Sequence, residues 1–427
     1  MSRACINSCP HVILLETLFP DLRKLAIQSG LISRQTRKFS AHGFLLALLK
    51  AVSTGHASFG QMAISLGDSE ALTLSRQALH QRMKPSAVTF LQSVLQQLTS
   101  SSVGAPVKDG KFPFGRILVE DATQFRMHPK NHPFFRAVAN NSGPTAGAKV
   151  DVVFDLISGH LLGHREVEGH VQDRTLGPQL LPMVEKGDLV LRDMGYFDVA
   201  AFAEIEAKQA FWLSRLHGQA GVTLEDGQSL ETRLASTTAD TLELDVTLTQ
   251  RGHPVRLIAI RASPEVAARR RQLKKEKRKR NGTQASKQSL AREDWNILVT
   301  NIPVGQCPAE ELCRLYRQRW EIEIHFRAWK QSLHMHKALH RITSRTHLHA
   351  LILAAMIFST LAVRIKLLIL SRQPERQVSG EKLFGWLSGR LKMLRSLWSE
   401  LVFDPRHFHR CKRRRKTLRQ NGNGFFP

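Results

Sequence analysis

The 427-residue chain is predicted to be a mixed α/β protein, a sheet core with a β-rich insertion and helical regions at both ends. Three observations carry this. The apolar residues of the first hundred or so positions recur at helical spacing. From residue 115 the pattern becomes strand-like and runs β-β-β-α-β-α, the order of a mixed sheet with crossover helices. Residues 211–263 then hold further strand-like runs before a strand and a long helix resume the α/β pattern.

Residues 1–112 form the predicted helical N-terminal region, with LLETLF, FLLALLK and FLQSVLQQL as its apolar faces. Within it, SFGQMAISLG and SRQALHQRM read as two short helices joined by a turn. Ser75 can cap the second, and Arg76, Gln77, His80, Gln81 and Arg82 give it a polar face. A helix-turn-helix DNA reader needs that face, and an ordinary solvated helix pair has it too. In 113–210, RILVEDATQFRM is a strand, and KVDVVFDLISGHLLGHREVEG is two strands joined by Ser-Gly. LGPQLLPMVEK reads as a helix, DLVLRDMGYF as a strand ending in a turn, and DVAAFAEIEAKQA as a helix.

In 211–292, FWLSRL, SLETRLA, TLELDVTLT and PVRLIAIRA are all read as strands of the insertion. A basic segment follows, with nine Lys or Arg among the twelve residues 269–280. It is expected to track a DNA backbone and to be disordered or loosely helical without DNA; a solvated surface helix is the alternative. NGTQASKQS reads as linker. In 293–370, WNILVTNIP is a strand, and a long helix starts near Pro308 with Glu310 and Glu311 in its first turn. The apolar stretch 348–363 reads as a buried core helix, being short for a membrane span and followed by Arg364 and Lys366. Residues 371–427 are a basic helical C-terminal region.

Sixty-two Lys and Arg against 36 Asp and Glu leave a formal charge of +26, and 42% hydrophobic residues exclude a disordered polycation. The charge calls for a polyanionic partner, nucleic acid first. Five scattered cysteines, an odd number, are no disulfide framework and fit a reducing compartment. Cys5 and Cys9 offer half a zinc site with no second pair. The first residues show no signal peptide.

The chemistry concentrates in LYRQRWEIEIHFRAWK. At 100° per residue, with Tyr316 at 0°, Arg319 falls at about −60°, Glu323 at about −20° and Lys330 at about −40°. One narrow stripe thus carries a tyrosine, two cations and a carboxylate, beside an apolar face of Leu312, Leu315, Ile322 and Phe326. Asp121 on the first strand and Asp193 at the end of the fourth converge at one edge of a sheet. With Glu323 they make an all-oxygen set that suits Mg²⁺. Asp151 and Asp155 are alternatives to Asp121; Asp188 opens the strand that Asp193 closes, at the wrong end. His128, His132, His160, His164 and His170 are read as surface histidines, because Mg²⁺ prefers oxygen.

The string Tyr316-xx-Arg319-xxx-Glu323-xxxxxx-Lys330 resembles the YREK signature of bacterial insertion-sequence transposases of family four. Asp193-Met-Gly-Tyr196-Phe197 resembles that family's Asp-Arg-Gly-Tyr-Phe, departing at Met194. Glu120-Asp121-Ala-Thr-Gln-Phe125 is similar to its first acidic motif. The chain's two tyrosines both fall in these motifs. The resemblance implies a DDE enzyme with a ribonuclease-H-like core, interrupted by a β-strand insertion between the second Asp and the Glu. It implies that Asp121, Asp193 and Glu323 hold two Mg²⁺, with Mn²⁺ as a substitute. Tyr316, Arg319 and Lys330 would grip DNA phosphates, and Trp295 would stack on a base flipped out during hairpin formation; a core role is the alternative for Trp295. The implied reaction is cleavage at transposon ends and strand transfer into target DNA. The implied partners are double-stranded DNA, both terminal inverted repeats and target, and a second copy of the chain in a synaptic complex. No membrane is expected, and the place of action is the bacterial cytoplasm, at the nucleoid. A catalytically silent DNA-binding descendant and a structure-selective nuclease without strand transfer are the alternatives.

Overall fold

The computed structural model describes residues 21–33, 39–67, 74–100, 113–138, 145–372 and 379–390. Cys5, Cys9, the LLETLF segment and the basic stretch after residue 390 lie outside the described residues.

In the N-terminal region α1 (Ala41–Thr54) starts at Ser40, whose Oγ accepts from the Gly43 N–H at 3.2 Å, and stops at Gly55, where φ is +73°. Its residues are buried almost throughout. Next come α2 (Phe59–Gly67), α3 (Arg76–Arg82) and α4 (Pro85–Ser100). Ser75 caps α3 as expected, accepting from the Ala78 N–H at 3.1 Å. Arg82 on its polar face is already engaged, donating to the Leu31 carbonyl at 3.0 Å.

The strands are β1 (Ile117–Arg126), β2 (Gly147–Asp155), β3 (Leu161–Glu168), β4 (Leu189–Arg192), β5 (Phe211–Arg215), β6 (Val222–Leu224), β7 (Thr241–Leu248), β8 (His253–Arg261) and β9 (Trp295–Thr300). Their order in one sheet is β3-β2-β1-β4-β5-β9-β8-β7-β6. β2 and β3 are antiparallel, joined by a turn in which Asp155 accepts from the N–H groups of Ile157 and Ser158. β1, β4 and β5 run parallel. The order β3-β2-β1-β4-β5, with these directions, is that of a ribonuclease-H-like core. Between β4 and β5 lies α5 (Val199–Ala207), the right kind of crossover for a parallel pair.

Several sequence expectations are corrected. LGPQLLPMVEK is not an α-helix. Pro178 and Pro182 reduce it to the 3₁₀ turns Gly177–Gln179 and Leu181–Met183. FWLSRL is β5, paired in parallel with β4 and so part of the core, not of the insertion. SLETRLA is helix α6 (Leu230–Ser236), capped by Ser229, with Leu230 and Leu234 buried one turn apart. The basic segment is a regular helix, α7 (Pro264–Arg280), begun by Ser263 and Pro264; part of the expected linker forms a second, α8 (Lys287–Ala291). Beyond α7 and α8, β9 is followed by α9 (Ala309–Gln318), α10 (Trp320–Gln331), α11 (Arg345–Arg372) and α12 (Gly380–Arg390). The predicted long helix is therefore broken at Arg319.

The chain forms two compact units. One holds residues 1–108, 122–171 and 320–410, the other 109–121, 172–319 and 411–427. In the first, α11 is the central helix. It is long and apolar enough to cross a membrane, yet 83% of its apolar window is buried inside the protein, as a core helix is. In the second, β9 pairs antiparallel with both β5 and β8, so the hairpin strands β6 to β8 extend the core sheet.

Candidate active site

Parallel pairing sets the level of the two aspartates. Ile117, Leu118 and Val119 of β1 lie opposite Leu189, Val190 and Leu191 of β4. Two residues further along each chain, Asp121 and Asp193 come level, on the sheet face shared with Val119 and Leu191. β4 ends at Arg192, but Asp193 keeps extended backbone before the 3₁₀ turn Met194–Tyr196. Both carboxylates are half-buried.

Helix α9 delivers the partners. It buries Leu312, Cys313, Leu315 and Tyr316 on one face and lies against β5. The Tyr316 hydroxyl donates to the Arg192 carbonyl at 3.1 Å and lies 3.4 Å from Asp193 Oδ1. Burial first, and then the Asp193 carboxylate, push its pKa far up, so it stays a proton donor. At the helix end, Arg319 Nη1 donates to Asp121 Oδ2 at 3.1 Å, with the two side chains 13% and 20% exposed. Each aspartate thus has one residue of the signature helix set on it. Tyr316 is 1% exposed, its hydroxyl turned to Asp193 inside the core.

The opposite sheet face holds a pair that sequence reasoning missed. Glu120 and Arg192 are both fully buried, 3.1 Å apart. Arg192 also donates to the carbonyls of Gly177 at 2.6 Å and Tyr196 at 3.3 Å, tying the turn after Asp193 to β1. A Cβ on residue 177 would sit 2.9 Å from Arg192 Nη1, which is why glycine stands there. The available signal was two charges in otherwise apolar strand runs.

The remaining expectations fall as follows. Trp295, expected either to stack on a flipped base or to fill the core, is 4% exposed, its ring covered by the Arg261 guanidinium at 4.4 Å. Glu323 and Lys330 lie on α10, in the other unit; Glu323 is half-buried, and Lys330 is exposed with its ammonium 6.0 Å from the Phe125 ring centroid. Met194 is exposed. Asp151 is buried, Asp155 holds the β2–β3 turn, and Asp188 takes two hydrogen bonds from Arg116, at 3.0 and 2.6 Å. His164 is not a surface histidine in a turn but a half-buried residue of β3, with its pKa lowered to about 4 by burial and by His349. On α7, Lys274 binds Glu293 at 2.8 Å and the Ser289 carbonyl at 2.6 Å, Arg270 donates to Asn296 at 2.9 Å, and Arg271 pairs with Asp294. Lys275, Lys277, Arg278, Lys279 and Arg280 are exposed.

The family model described as the transposase DDE domain matches residues 112–359, the interval that holds both aspartates and the signature helices. The chain belongs to the DDE transposase family. It is 25% identical over 410 residues to the transposase of insertion sequence element IS231D from Bacillus thuringiensis subsp. finitimus, covering 87% of this chain and 83% of that one. It is 36% identical over 84 residues to the putative transposase InsL of insertion sequence element IS186A from Escherichia coli (strain K12), 19% of this chain and 22% of that one. Among solved structures, a cryo-EM structure of a piggyBac transposase synaptic complex with hairpin DNA matches at a TM-score of 0.46 and 11% identity, over 98% of this chain and 86% of that one. Membership of the DDE family implies use of a divalent metal. The Asp121–Asp193 pair offers what such an ion takes, carboxylate oxygens level on neighbouring strands and open enough to solvent to admit it.

Proposed function

We propose that this DDE transposase cuts DNA at the ends of its element and joins those ends to target DNA. The observation that carries the reading is the register of β1 and β4, which brings Asp121 level with Asp193 while Arg319 and Tyr316 engage one each. Asp121, Asp193 and Glu323 are the residues that would hold two Mg²⁺. When bound, such ions activate a water and stabilise a leaving 3′-oxygen. The protein's own part is orientation. Tyr316 fixes the Asp193 carboxylate from the buried side, and the Glu120–Arg192 pair fixes the turn that carries it. Arg319 holds Asp121, and its guanidinium is suited to grip a phosphate through two N–H donors. Lys330 adds an exposed positive charge on α10. DNA is the polyanion that a +26 chain with an exposed basic helix would engage. Pairing of two ends requires two copies of the chain, acting in the cytoplasm on the element's own DNA.

The test uses duplex DNA bearing the element's terminal repeats. Asp121→Ala, Asp193→Ala and Glu323→Ala should each lower Mg²⁺-dependent cleavage by about 10³-fold or more, while end binding changes little, because affinity rests on cation–phosphate contacts. A variant that cuts at close to the wild-type rate removes its residue from the metal set. Cleavage without joined product would leave a nuclease in place of a transposase.

A further inference from the structure

We propose that His164, Glu166 and His349 form a zinc site that ties strand β3 to the N-terminal part of α11, within one unit of the chain. His164 and Glu166 are two residues apart on β3 and so share one face. His349 comes from the second turn of α11. Among the described residues these are the one trio of His, Cys, Asp or Glu side chains whose ligand atoms all lie within 4.8 Å of one another.

Three further features point to a cation. His349 Nε2 is 3.4 Å from Glu166 Oε1, close to the edge of a tetrahedron about Zn²⁺, roughly 3.3–3.4 Å for bonds of about 2.0–2.1 Å. Among the described residues Glu166 Oε1 has no hydrogen-bond partner, although its side chain is only 8% exposed. A buried carboxylate oxygen left so is costly unless a proton or a metal takes it. The histidine rings meet edge to face at 5.9 Å, as two ligands converging on one point do.

Two imidazoles and one carboxylate are a borderline donor set that suits Zn²⁺, with water as the fourth ligand; Mg²⁺ prefers oxygen throughout. Arg345 is the cation that works against a second positive charge here, so affinity should fall short of that of an all-protein four-ligand site. The other charged neighbour in the strand, Arg165, points to the opposite face by alternation.

The experiment uses the full chain without a histidine tag. Zn²⁺ is titrated against a chromogenic chelator, and Co²⁺ is added to the metal-free protein and followed by visible absorbance. One equivalent of Zn²⁺ should bind with a sub-micromolar dissociation constant, Co²⁺ should give the strong bands of tetrahedral coordination, and thermal unfolding should rise in Zn²⁺ relative to EDTA. His164→Gln, Glu166→Gln and His349→Gln should each weaken Zn²⁺ by ~100-fold or more, since even outer-shell partners account for about 10–100-fold. Glu166→Gln removes an uncompensated acid without changing shape, so it should keep the metal-free fold and separate lost binding from lost folding. The chain has 19 histidines, so weak zinc uptake alone supports nothing. Wild-type protein that takes up no Zn²⁺ at micromolar free metal, or three variants that bind as tightly as wild type, would overturn the site.

Discussion

Two charged regions of the same unit behave in opposite ways. Around Asp121 and Asp193, every charge is matched: Arg319 to Asp121, the Tyr316 hydroxyl to Asp193, and Arg192 to Glu120 on the sheet's far side. Along α7, the cations at the base of the helix are matched to Glu293, Asp294 and Asn296, and those from Lys275 onward stand in water. The first region is assembled from parts of the chain some two hundred residues apart and half or wholly buried. The second is contiguous in sequence and exposed. Burial raises the value of each partner, because an orphaned charge cannot turn to solvent. Exposure lowers it, because water and salt stand in for any partner lost. Single substitutions should therefore act strongly in the first region, and weakly and additively in the second.

The largest effect is expected at Arg192. Arg192→Met removes the buried ion pair with Glu120 and frees the Gly177 and Tyr196 carbonyls, a loss on the order of 3–5 kcal/mol. Chemical denaturation should register it as a lower midpoint, and the double variant Arg192→Met with Glu120→Gln should recover part of it. A single variant as stable as wild type would mean that the pair is dispensable, and the contrast between the two regions would lose its clearest case.

Arg319 is the next. Arg319→Ala should lower cleavage by about 10²–10³-fold, the usual effect of deleting one donor aimed at transition-state charge. The side chain is 13% exposed and faces Asp121, not the apolar core, so folding should survive. Arg319→Lys keeps the charge but not the planar fork and should restore only part of the rate. Full activity from Lys would reduce the role to charge alone and bring Arg319 close to the behaviour of an α7 cation.

The contrast also explains what could be read from the sequence. β1 to β4 were legible because alternation and apolar runs are local properties. β5 was misassigned because FWLSRL carries no mark of its partner; only the parallel register with Leu189–Arg192 puts it in the core. The helix α6 was misread although Leu230 and Leu234 stand four apart behind Ser229, a helical signal overlooked in a strand-rich stretch. The signature stripe gave a common face but not depth. The predicted helix breaks at Arg319, so Tyr316 is buried on α9 while Lys330 is exposed on α10. His164 could not be read as a ligand, because its partner His349 is supplied by another element far along the chain. The levels of Asp121 and Asp193 were legible from their strand positions, and the Glu120–Arg192 pair was not, because a charge in an apolar strand does not name its partner.

The smallest effect separates cations within α7 itself. Each phosphate neutralised contributes about −0.9 to the slope of log K against log salt on duplex DNA. Lys277 is exposed, so Lys277→Gln should flatten the slope by about 0.9 if it meets a phosphate, on end DNA and random DNA alike, because phosphates carry no sequence. Lys274 lies on the same helix but is committed to Glu293 and the Ser289 carbonyl. Lys274→Gln should leave the slope where it was and cost about 1 kcal/mol or less of stability, as a half-exposed pair does. Changing Lys275, Lys277, Arg278 and Lys279 together should then flatten the slope by several units, near the sum of the single effects. Equal slopes for the Lys274 and Lys277 variants would show that pairing at the base of α7 does not decide which cations reach DNA. An unchanged slope in the fourfold variant would make the exposed end a solvated surface and move the search for the DNA track away from this helix.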